Sequence, residues 1–192
     1  MYALIIAGGR GERLATSAPG PVPVKPLLED ATGRRLIDRV LDACADLPDC
    51  TRVVVAGEMP LPSDVARVRE HPPLAGPAAG IAAGVAAIPA DHTGDVLVLP
   101  ADLADPAAVV AALDRHGVVT AGGRLQPLLF RCDVTALRAA CGTDLTDAPV
   151  MRVVKRLHLP EIGLPATAVA DIDTWADATA HGYGHGHGYG QD

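Results

Sequence analysis

The sequence predicts an α/β fold in which a mostly parallel β-sheet lies between two layers of helices. Short, almost wholly apolar runs alternate along the chain with segments whose apolar residues recur at helical spacing. Such runs are typical of central parallel strands that are buried on both faces. Strands that alternate with helices indicate right-handed crossover connections, and therefore a three-layer α/β/α sandwich.

The first half of the chain supplies three of the predicted strands. Residues 2–6 (YALII), 52–56 (RVVVA) and 95–99 (DVLVL) are short apolar runs bounded by polar or glycine-rich stretches. An apolar stripe at every third or fourth position predicts a helix over 34–47. A second helix is predicted over 77–88, because its small residues begin with a proline that suits a first helical turn.

The second half continues the alternation. Asp105 is a good N-cap and Pro106 a good first residue for a helix that runs to about residue 115. Thr174 is similarly suited to cap a last helix that ends near residue 180. The other elements are predicted from apolar periodicity alone, as strands at 127–131 and 167–172 and helices at 134–140 and 149–157.

The length and composition indicate one domain. The chain has 192 residues, enough for one large core, and only 3% of them are aromatic, so small aliphatic side chains must fill that core. We assign residues 1–181 to the domain. Residues 182–192, rich in Gly, His and Tyr, are expected to form a flexible tail.

The charge balance argues against two classes of partner. Sixteen basic and 23 acidic residues give a net charge of −7, whereas surfaces for nucleic acid or anionic membranes usually carry the opposite sign. No apolar stretch is long and unbroken enough for a membrane span, and the opening run is too short for a secretion signal. We expect a cytoplasmic protein whose four cysteines are reduced, mostly buried thiols.

A glycine turn after the first strand is the first candidate site. Glycines let backbone N–H groups approach an anion closely, and Arg10, Arg13 and Lys25 add positive charge nearby in an otherwise acidic chain. Between the cations lies a Pro- and Gly-rich loop, 15–24, which we expect to be non-helical and a candidate mobile flap. The predicted phosphate-binding residues are Ala7, Gly8, Gly9, Gly11, Arg13 and Lys25.

Aspartates at predicted strand ends are candidate ligands for a divalent cation. Asp102 follows the strand 95–99, at the sheet edge where open α/β sheets bind their ligands, and could hold Mg²⁺ against nucleotide phosphates. A turn or N-cap role is the alternative. Asp171 and Asp173 alternate along the predicted strand at 167–172, so only one can face a cleft. We choose Asp173 as the second metal ligand and give Asp171 a structural role.

Gly76 and Gly80 stand at the start of the predicted helix 77–88. A Gly-Pro helix start lets a flat base or a ribose approach without obstruction by side chains. Close packing of the helix on the sheet explains the same glycines equally well.

Together these motifs resemble the nucleotidyltransferase superfamily that includes molybdenum cofactor guanylyltransferases, from residue 2 to about residue 180. Residues 4–14 (LIIAGGRGERL) resemble the family's opening L-A-G-G-x-S-x-R-M-G, and Lys25 its following lysine. Residues 70–80 (EHPPLAGPAAG) resemble its acidic residue followed by G-P-L-A-G. The other similar segments are Pro100-Ala101-Asp102 at the metal-binding C-D-x-P, Gln126-Pro127-Leu128 near the acceptor site, and 171–174 (DIDT) at N-x-N-T or D-x-D-T.

The resemblance implies a nucleotide-diphospho-sugar transferase-like fold with a Rossmann-like sheet. It implies transfer of a nucleoside monophosphate from an NTP to a phosphate monoester, with release of pyrophosphate. Lys25, Arg13 and Asp102 would be catalytic, Mg²⁺ would bind Asp102 and Asp173, and Gln126 would contact the acceptor. The acceptor phosphate is already ionised, so positioning and electrostatics would carry catalysis without a general base.

The base and the acceptor stay open at this point. Gly8-Gly9 favours GTP and a molybdopterin-like acceptor, and Glu70 could accept hydrogen bonds from guanine N1–H and N2–H, although an exposed surface glutamate is the simpler interpretation. Residues 171–173 (DID) are more typical of cytidylyltransferases, and 25–28 (KPLL) of sugar-1-phosphate nucleotidyltransferases. A non-catalytic nucleotide-binding module with the same fold is the remaining alternative.

Overall fold

A computed structural model describes residues 1–9, 11–142 and 145–184. These residues contain a single seven-stranded sheet with helices on both faces, so the predicted three-layer α/β fold is confirmed. The strands are β1 (Tyr2–Ile6), β2 (Thr51–Val55), β3 (Ala66–Val68), β4 (Asp95–Pro100), β5 (Gly117–Ala121), β6 (Arg124–Asp133) and β7 (Glu161–Leu164). The α-helices are α1 (Glu12–Ser17), α2 (Leu36–Ala45), α3 (Pro77–Ala86), α4 (Pro106–Ala112), α5 (Val134–Cys141), α6 (Met151–Leu157) and α7 (Trp175–Ala180).

The strand order across the sheet is β3-β2-β1-β4-β6-β5-β7. In the centre, β1 pairs in parallel with β2 and with β4, and Leu4 lies opposite Val53 and Val98. Only β6, among the described strands, is reversed, since it runs antiparallel to both β4 and β5. The beginning of β6 therefore lies at the same edge of the sheet as the carboxyl end of β4.

The alternation of side chains along β1 explains why both faces of the sheet are buried. Ala3 and Ile5 pack against α2 and α4 in one core, whereas Leu4 and Ile6 pack against α3, α5 and α6 in the other. All but Ile6 are completely inaccessible to solvent. This double burial requires the almost wholly apolar sequence from which the strand was predicted.

The predicted strand at 167–172 is wrong, and three short strands (β3, β5 and β7) were not predicted. The segment forms a 3-10 helix, Ala166–Val169, and then passes the end of the sheet. There, Ala170 accepts a hydrogen bond from the N–H of Ala104 (2.9 Å), and the N–H of Ile172 donates to the carbonyl of Asp102 (3.1 Å). Its backbone therefore pairs mainly with a loop, a partner that periodicity does not reveal.

The expectation that residues 15–24 are non-helical is wrong for the first three of them. Helix α1 extends to Ser17, where the Thr16 hydroxyl donates to the Glu12 carbonyl (2.8 Å) and the Ser17 hydroxyl to the Leu14 carbonyl (3.1 Å). These bonds satisfy the polar side chains within the helix. The helix ends at Ser17, and the next residue, Ala18, is extended, as expected for a residue that precedes a proline.

The boundary predicted at residue 181 is also wrong, because the domain includes residues 182–184. Tyr183 is the largest fully buried side chain of the described residues, and its N–H donates to the Ala178 carbonyl (2.8 Å). The N–H of Gly184 donates to the Glu29 carbonyl (3.0 Å). The rest of the predicted tail, 185–192, lies outside the described residues.

The four cysteines are free thiols, and Cys44, Cys132 and Cys141 are buried. Burial raises the pKa of Cys44 and of Cys132 to about 12, so both thiols stay protonated at neutral pH. No helix within the described ranges has both the length and the apolar character needed to cross a membrane.

We predict that Gly117→Ala lowers the free energy of unfolding by about 1–3 kcal/mol, the usual cost of overpacking. A methyl group on Gly117 would lie 2.8 Å from Ile162 Cγ1 and 3.1 Å from the Pro160 carbonyl oxygen. Gly163→Ala on the neighbouring strand is the matched control, because a Cβ there meets no heavy atom within 4 Å. Urea denaturation measures both variants, and an equal loss in both would contradict the packing explanation.

Candidate active site

A cleft of about 480 Å³ lies at the carboxyl ends of β1 and β4. After β1 the chain continues to β2, towards one edge of the sheet, and after β4 it continues to β5, towards the opposite edge. Such a switch point is where open α/β sheets bind their ligands. The predicted phosphate-binding residues all line the cleft: Ala7, Gly8, Gly9, Gly11, Arg13 and Lys25.

The turn after β1 depends on the conformational freedom of its glycines. Gly9 has a φ of 143° and Gly11 a φ of 60°, values that residues with a side chain rarely adopt. The start of the turn is fixed because the N–H of Ala7 donates to the Val55 carbonyl (3.0 Å). The backbone of Gly8, Gly9 and Gly11 therefore forms one wall of the cleft. Arg10 lies outside the described residues.

The Lys25 ammonium group joins two distant parts of the chain at the cleft. Its Nζ lies 2.5 Å from Asp102 Oδ2 and 2.7 Å from Asp173 Oδ1. Only 14% of the Lys25 side chain is exposed. Burial by itself would lower the pKa of Lys25, but the charges and hydrogen bonds of Asp102 and then Asp173 outweigh burial and raise the pKa. Lys25 therefore remains a cation.

Arg13 is the more exposed of the two cations that contact Asp173 in the cleft. Its guanidinium lies 2.9 Å from Asp173 Oδ2, yet 76% of its side chain is exposed. An exposed ion pair of this kind contributes little to stability. Arg13 can therefore exchange its carboxylate partner for a phosphate at low cost.

Asp171 lines a cavity next to the cleft on the same side as Asp173, whereas we predicted that only one of the two would face a cleft. That prediction placed Asp171 and Asp173 on opposite faces of a strand, but the segment is not a strand, and both residues line one cavity with Asp102. Burial, together with the charges of Asp102 and Asp173, raises the pKa of Asp171 to about 6. The alternation rule failed because its premise, an extended strand, was wrong.

A second cavity of about 140 Å³ adjoins the glycine turn and contains the predicted base-binding residues Glu70, Gly76 and Gly80. Glu70 is only 8% exposed, so the simpler interpretation as a surface glutamate is wrong. Its Oε1 accepts a hydrogen bond from the N–H of Leu74 (2.8 Å). Leu74 also lines this cavity, although half of it is exposed, and no sequence signal identified it.

A third cavity of about 300 Å³ lies on the opposite side of the cleft, at the beginning of β6. Gln126, predicted to contact an acceptor, lines it together with Arg13 and the three aspartates described above. Ile6 and Gly8 contribute to all three cavities, which are therefore contiguous. The fold thus brings the predicted base, phosphate and acceptor residues into one continuous depression.

The donor set at the centre of the cleft fits a magnesium ion that is shared with a substrate. The Asp102 and Asp173 carboxylates converge on the position of Lys25 Nζ, beside the glycine turn. Within the described residues, no group of three or more His, Cys, Asp or Glu side chains could hold a metal alone. Mg²⁺ usually binds one or two carboxylates and completes its shell with phosphates and water, so two carboxylates next to a phosphate site suit it.

An open α/β sheet with a cleft at its switch point is typical of domains that bind nucleotides. A family model described as the MobA-like NTP transferase domain matches residues 3–161. The chain belongs to this family, and the resemblance drawn from its sequence motifs is confirmed.

Solved structures share the fold over nearly the whole chain. A nucleotidyl transferase from Methanothermobacter thermautotrophicus is 21% identical, with a TM-score of 0.66 over 94% of this chain and 95% of the other. Molybdopterin-guanine dinucleotide biosynthesis protein A from Archaeoglobus fulgidus is 16% identical, with a TM-score of 0.65 over 95% and 97% of the two chains. A 4-diphosphocytidyl-2C-methyl-D-erythritol synthase is 16% identical, with a TM-score of 0.62 over 93% and 94%. No curated protein matches this chain significantly in sequence.

We predict that Lys25→Met lowers the free energy of unfolding by about 1–3 kcal/mol, since it leaves Asp102 without its cation and Asp173 with Arg13 alone. The matched control is Lys155→Met, because Lys155 is the other lysine of the chain and is exposed on α6. Chemical denaturation of both variants at neutral pH measures the difference. Equal stability of the two variants would show that the Lys25 ion pairs contribute nothing.

Proposed function

We propose that this protein transfers a nucleoside monophosphate, with GMP from GTP favoured, to a phosphate monoester acceptor such as molybdopterin, and releases pyrophosphate. The observation that carries the proposal is the position of Lys25 Nζ between Asp102 and Asp173, beside the glycine turn. Cavities on the two sides of this point suit a base and an acceptor. The free cysteine thiols are in keeping with a cytoplasmic reaction.

The chain's own groups account for binding of the triphosphate. The backbone of Gly8, Gly9 and Gly11 offers N–H groups along the wall of the cleft, and such turns bind anions. Lys25 and Arg13 neutralise the β- and γ-phosphates, where negative charge grows as pyrophosphate leaves. Cations that are already in place for this charge stabilise the transition state more than the ground state.

The reaction needs no general base. An oxygen of the acceptor phosphate, already ionised, forms the new bond to the α-phosphorus, and the bond from that phosphorus to the leaving pyrophosphate breaks. Holding two polyanions in line is the main task of the protein. Asp102 and Asp173 would hold Mg²⁺, which supplies positive charge to the α-phosphate when bound.

Guanine is favoured because of the environment of Glu70. Its carboxylate is nearly buried at the edge of the second cavity, and Oε1 is engaged by the Leu74 N–H. The remaining acceptor capacity suits the adjacent N1–H and N2–H donors of guanine, a pattern that cytosine lacks. A neighbour in fold, the guanine dinucleotide biosynthesis protein from Archaeoglobus fulgidus, supports this choice by its described role. The cytidylyltransferase and sugar-1-phosphate alternatives differ in this base and in the acceptor.

We predict that Lys25→Ala reduces pyrophosphate release by roughly 10²-fold or more, the scale for losing one preorganised charged contact. Asp102→Asn should abolish Mg²⁺-dependent turnover and leave the circular dichroism spectrum unchanged. The assay supplies each NTP with molybdopterin or a sugar phosphate as acceptor. Wild-type activity in both variants would overturn the mechanism. A wild-type protein that binds NTP without releasing pyrophosphate would instead be a non-catalytic nucleotide-binding module.

We predict that Glu70→Gln reduces kcat/KM for GTP by about 10- to 100-fold, because a hydrogen bond to a charged acceptor is lost. Gln keeps an oxygen that can accept the hydrogen bond from the Leu74 N–H, so the loop 70–74 should keep its conformation. Turnover of CTP, however low, should change less than threefold. Before kinetics, GTP with Mg²⁺ should raise the thermal midpoint of the wild type more than ATP, CTP or UTP does. An equal loss for GTP and CTP in the variant would remove Glu70 from base recognition.

A further inference from the structure

A third hydrophobic cluster, which we call the small core, is separate from the two large cores of the sheet. Its fully buried members come from the two ends of the chain: Leu14, Leu28, Leu36, Ile172, Ala178 and Tyr183. Val22 and Trp175 pack against it. The function described above assigns no role to any of these side chains.

The four ion-paired residues of the cleft are each next to, or hydrogen bonded through the backbone to, a member of the small core. Leu14 directly follows Arg13, and Ile172 directly precedes Asp173. The N–H of Leu28 donates to the Lys25 carbonyl (3.1 Å), and the N–H of Ile172 donates to the Asp102 carbonyl (3.1 Å). The packing of the small core therefore fixes the backbone from which the charged groups of the cleft project.

Tyr183 is the last residue of the small core along the chain, and it is completely buried. The backbone of residues 183 and 184 pairs with residues 29 and 30, immediately after the 3-10 helix Lys25–Leu27 that carries Lys25. The hydroxyl of Tyr183 accepts a hydrogen bond from Arg39 Nη1 (3.1 Å), and the Arg39 guanidinium lies 5.9 Å from the centre of its ring. Tyr183 is thus held at its backbone, its ring and its hydroxyl.

A second contact secures the same segment. Trp175, at the start of α7, packs against the backbone of Gly184, so a Cβ on Gly184 would lie 2.8 Å from Trp175 Cζ2. The N–H of Trp175 donates to the Ser17 hydroxyl of α1 (2.8 Å). The end of the domain is therefore linked to α1, which carries Arg13, as well as to Lys25.

We propose that Tyr183 is a positioning residue for the cleft, whose packing in the small core holds Lys25 against Asp102 and Asp173. The kinetic part of this proposal rests on the proposed nucleotidyl transfer, but the placement of Lys25 does not. The ring of Tyr183 provides the positioning, because it packs within the small core. In the described hydrogen bonds, its hydroxyl contacts only Arg39. Tyr183 touches no substrate and acts through Lys25 and its neighbours.

Lys25 offers a readout that does not depend on turnover. The chain contains two lysines, and Lys155 is exposed on α6, where it serves as an internal reference. Acetic anhydride labelling followed by mass spectrometry gives the ratio of the Lys25 to the Lys155 reaction rates. In Tyr183→Ala we expect this ratio to rise at least fivefold as Lys25 loses its partners, and in Tyr183→Phe to stay within twofold of the wild type.

The kinetic experiment separates positioning from loss of stability. Tyr183→Ala should lower kcat by 10- to 100-fold, because small displacements of preorganised groups cost that much, and should change KM for GTP less than threefold. Tyr183→Phe should keep wild-type kcat. Gly117→Ala, a destabilised variant far along the sheet, should also keep wild-type kcat per folded molecule, with the folded fraction taken from circular dichroism.

The outcomes are distinct. Wild-type kcat and an unchanged labelling ratio in folded Tyr183→Ala would overturn the proposal, as would an equal loss of kcat in Gly117→Ala. A wild type without turnover would count against the proposed function, and the labelling ratio alone would then decide whether Tyr183 positions Lys25.

A second pair of variants applies if Tyr183→Ala does not fold. Gly184→Ala and Gly182→Ala introduce alanine at nearly equal positive φ, 86° and 80°, but only the methyl at 184 would meet Trp175. Gly184→Ala should raise the Lys25 labelling ratio at least threefold above that of Gly182→Ala. Equal ratios in these two variants would overturn the proposal.

Discussion

The organisation of this protein depends on one ammonium group placed between two carboxylates. Lys25 follows the loop after α1, Asp102 follows β4, and Asp173 precedes α7, so the three side chains come from regions that are far apart in sequence. Lys25 and Arg13 together supply two positive charges to the Asp102 and Asp173 carboxylates, so both carboxylates of the cleft are paired. Any element that shifts one of these three segments disturbs the other two through the shared ion pairs.

The sequence predicted the centre of the fold with little error, and the residues that it singled out as a candidate site line neighbouring cavities of the structure. The strands β1, β2 and β4 are buried on both faces, so they consist almost entirely of apolar residues, and the cations near the glycine turn stand out in an acidic chain. The strands β3 and β7 were missed because they are short strands at the sheet edges. The strand β5 begins with glycine, and it was missed although the hairpin signal Gly122-Gly123 follows its Val-Val-Thr run. The apolar pattern of a segment indicates how far that segment is buried, but it does not indicate which other segment it pairs with.

The errors near the carboxyl terminus have a common cause. Residues 167–172 alternate like a strand but pair with a loop, and a glycine-rich stretch that resembles a tail places a tyrosine in the small core. In both cases the decisive contacts join residues more than sixty positions apart. The direction of the Asp171 side chain was predicted wrongly for the same reason, since that prediction assumed a strand. Rules based on local sequence succeed where local interactions determine the structure. Near the carboxyl terminus of the domain, long-range contacts determine it instead.

Because β6 runs antiparallel to β4 and β5, the third cavity lies beside a hairpin, whereas the second cavity lies beside parallel strands and α3. β1, β2 and α3 enclose the turn and the base cavity, whereas Gln126 stands near the tip of a hairpin formed by β5 and β6 with Gly122 and Gly123 at its turn. A hairpin tip tolerates insertion and exchange of residues without repacking the sheet beneath it. Changes to this hairpin would therefore alter the third cavity and leave the packing around the glycine turn unchanged.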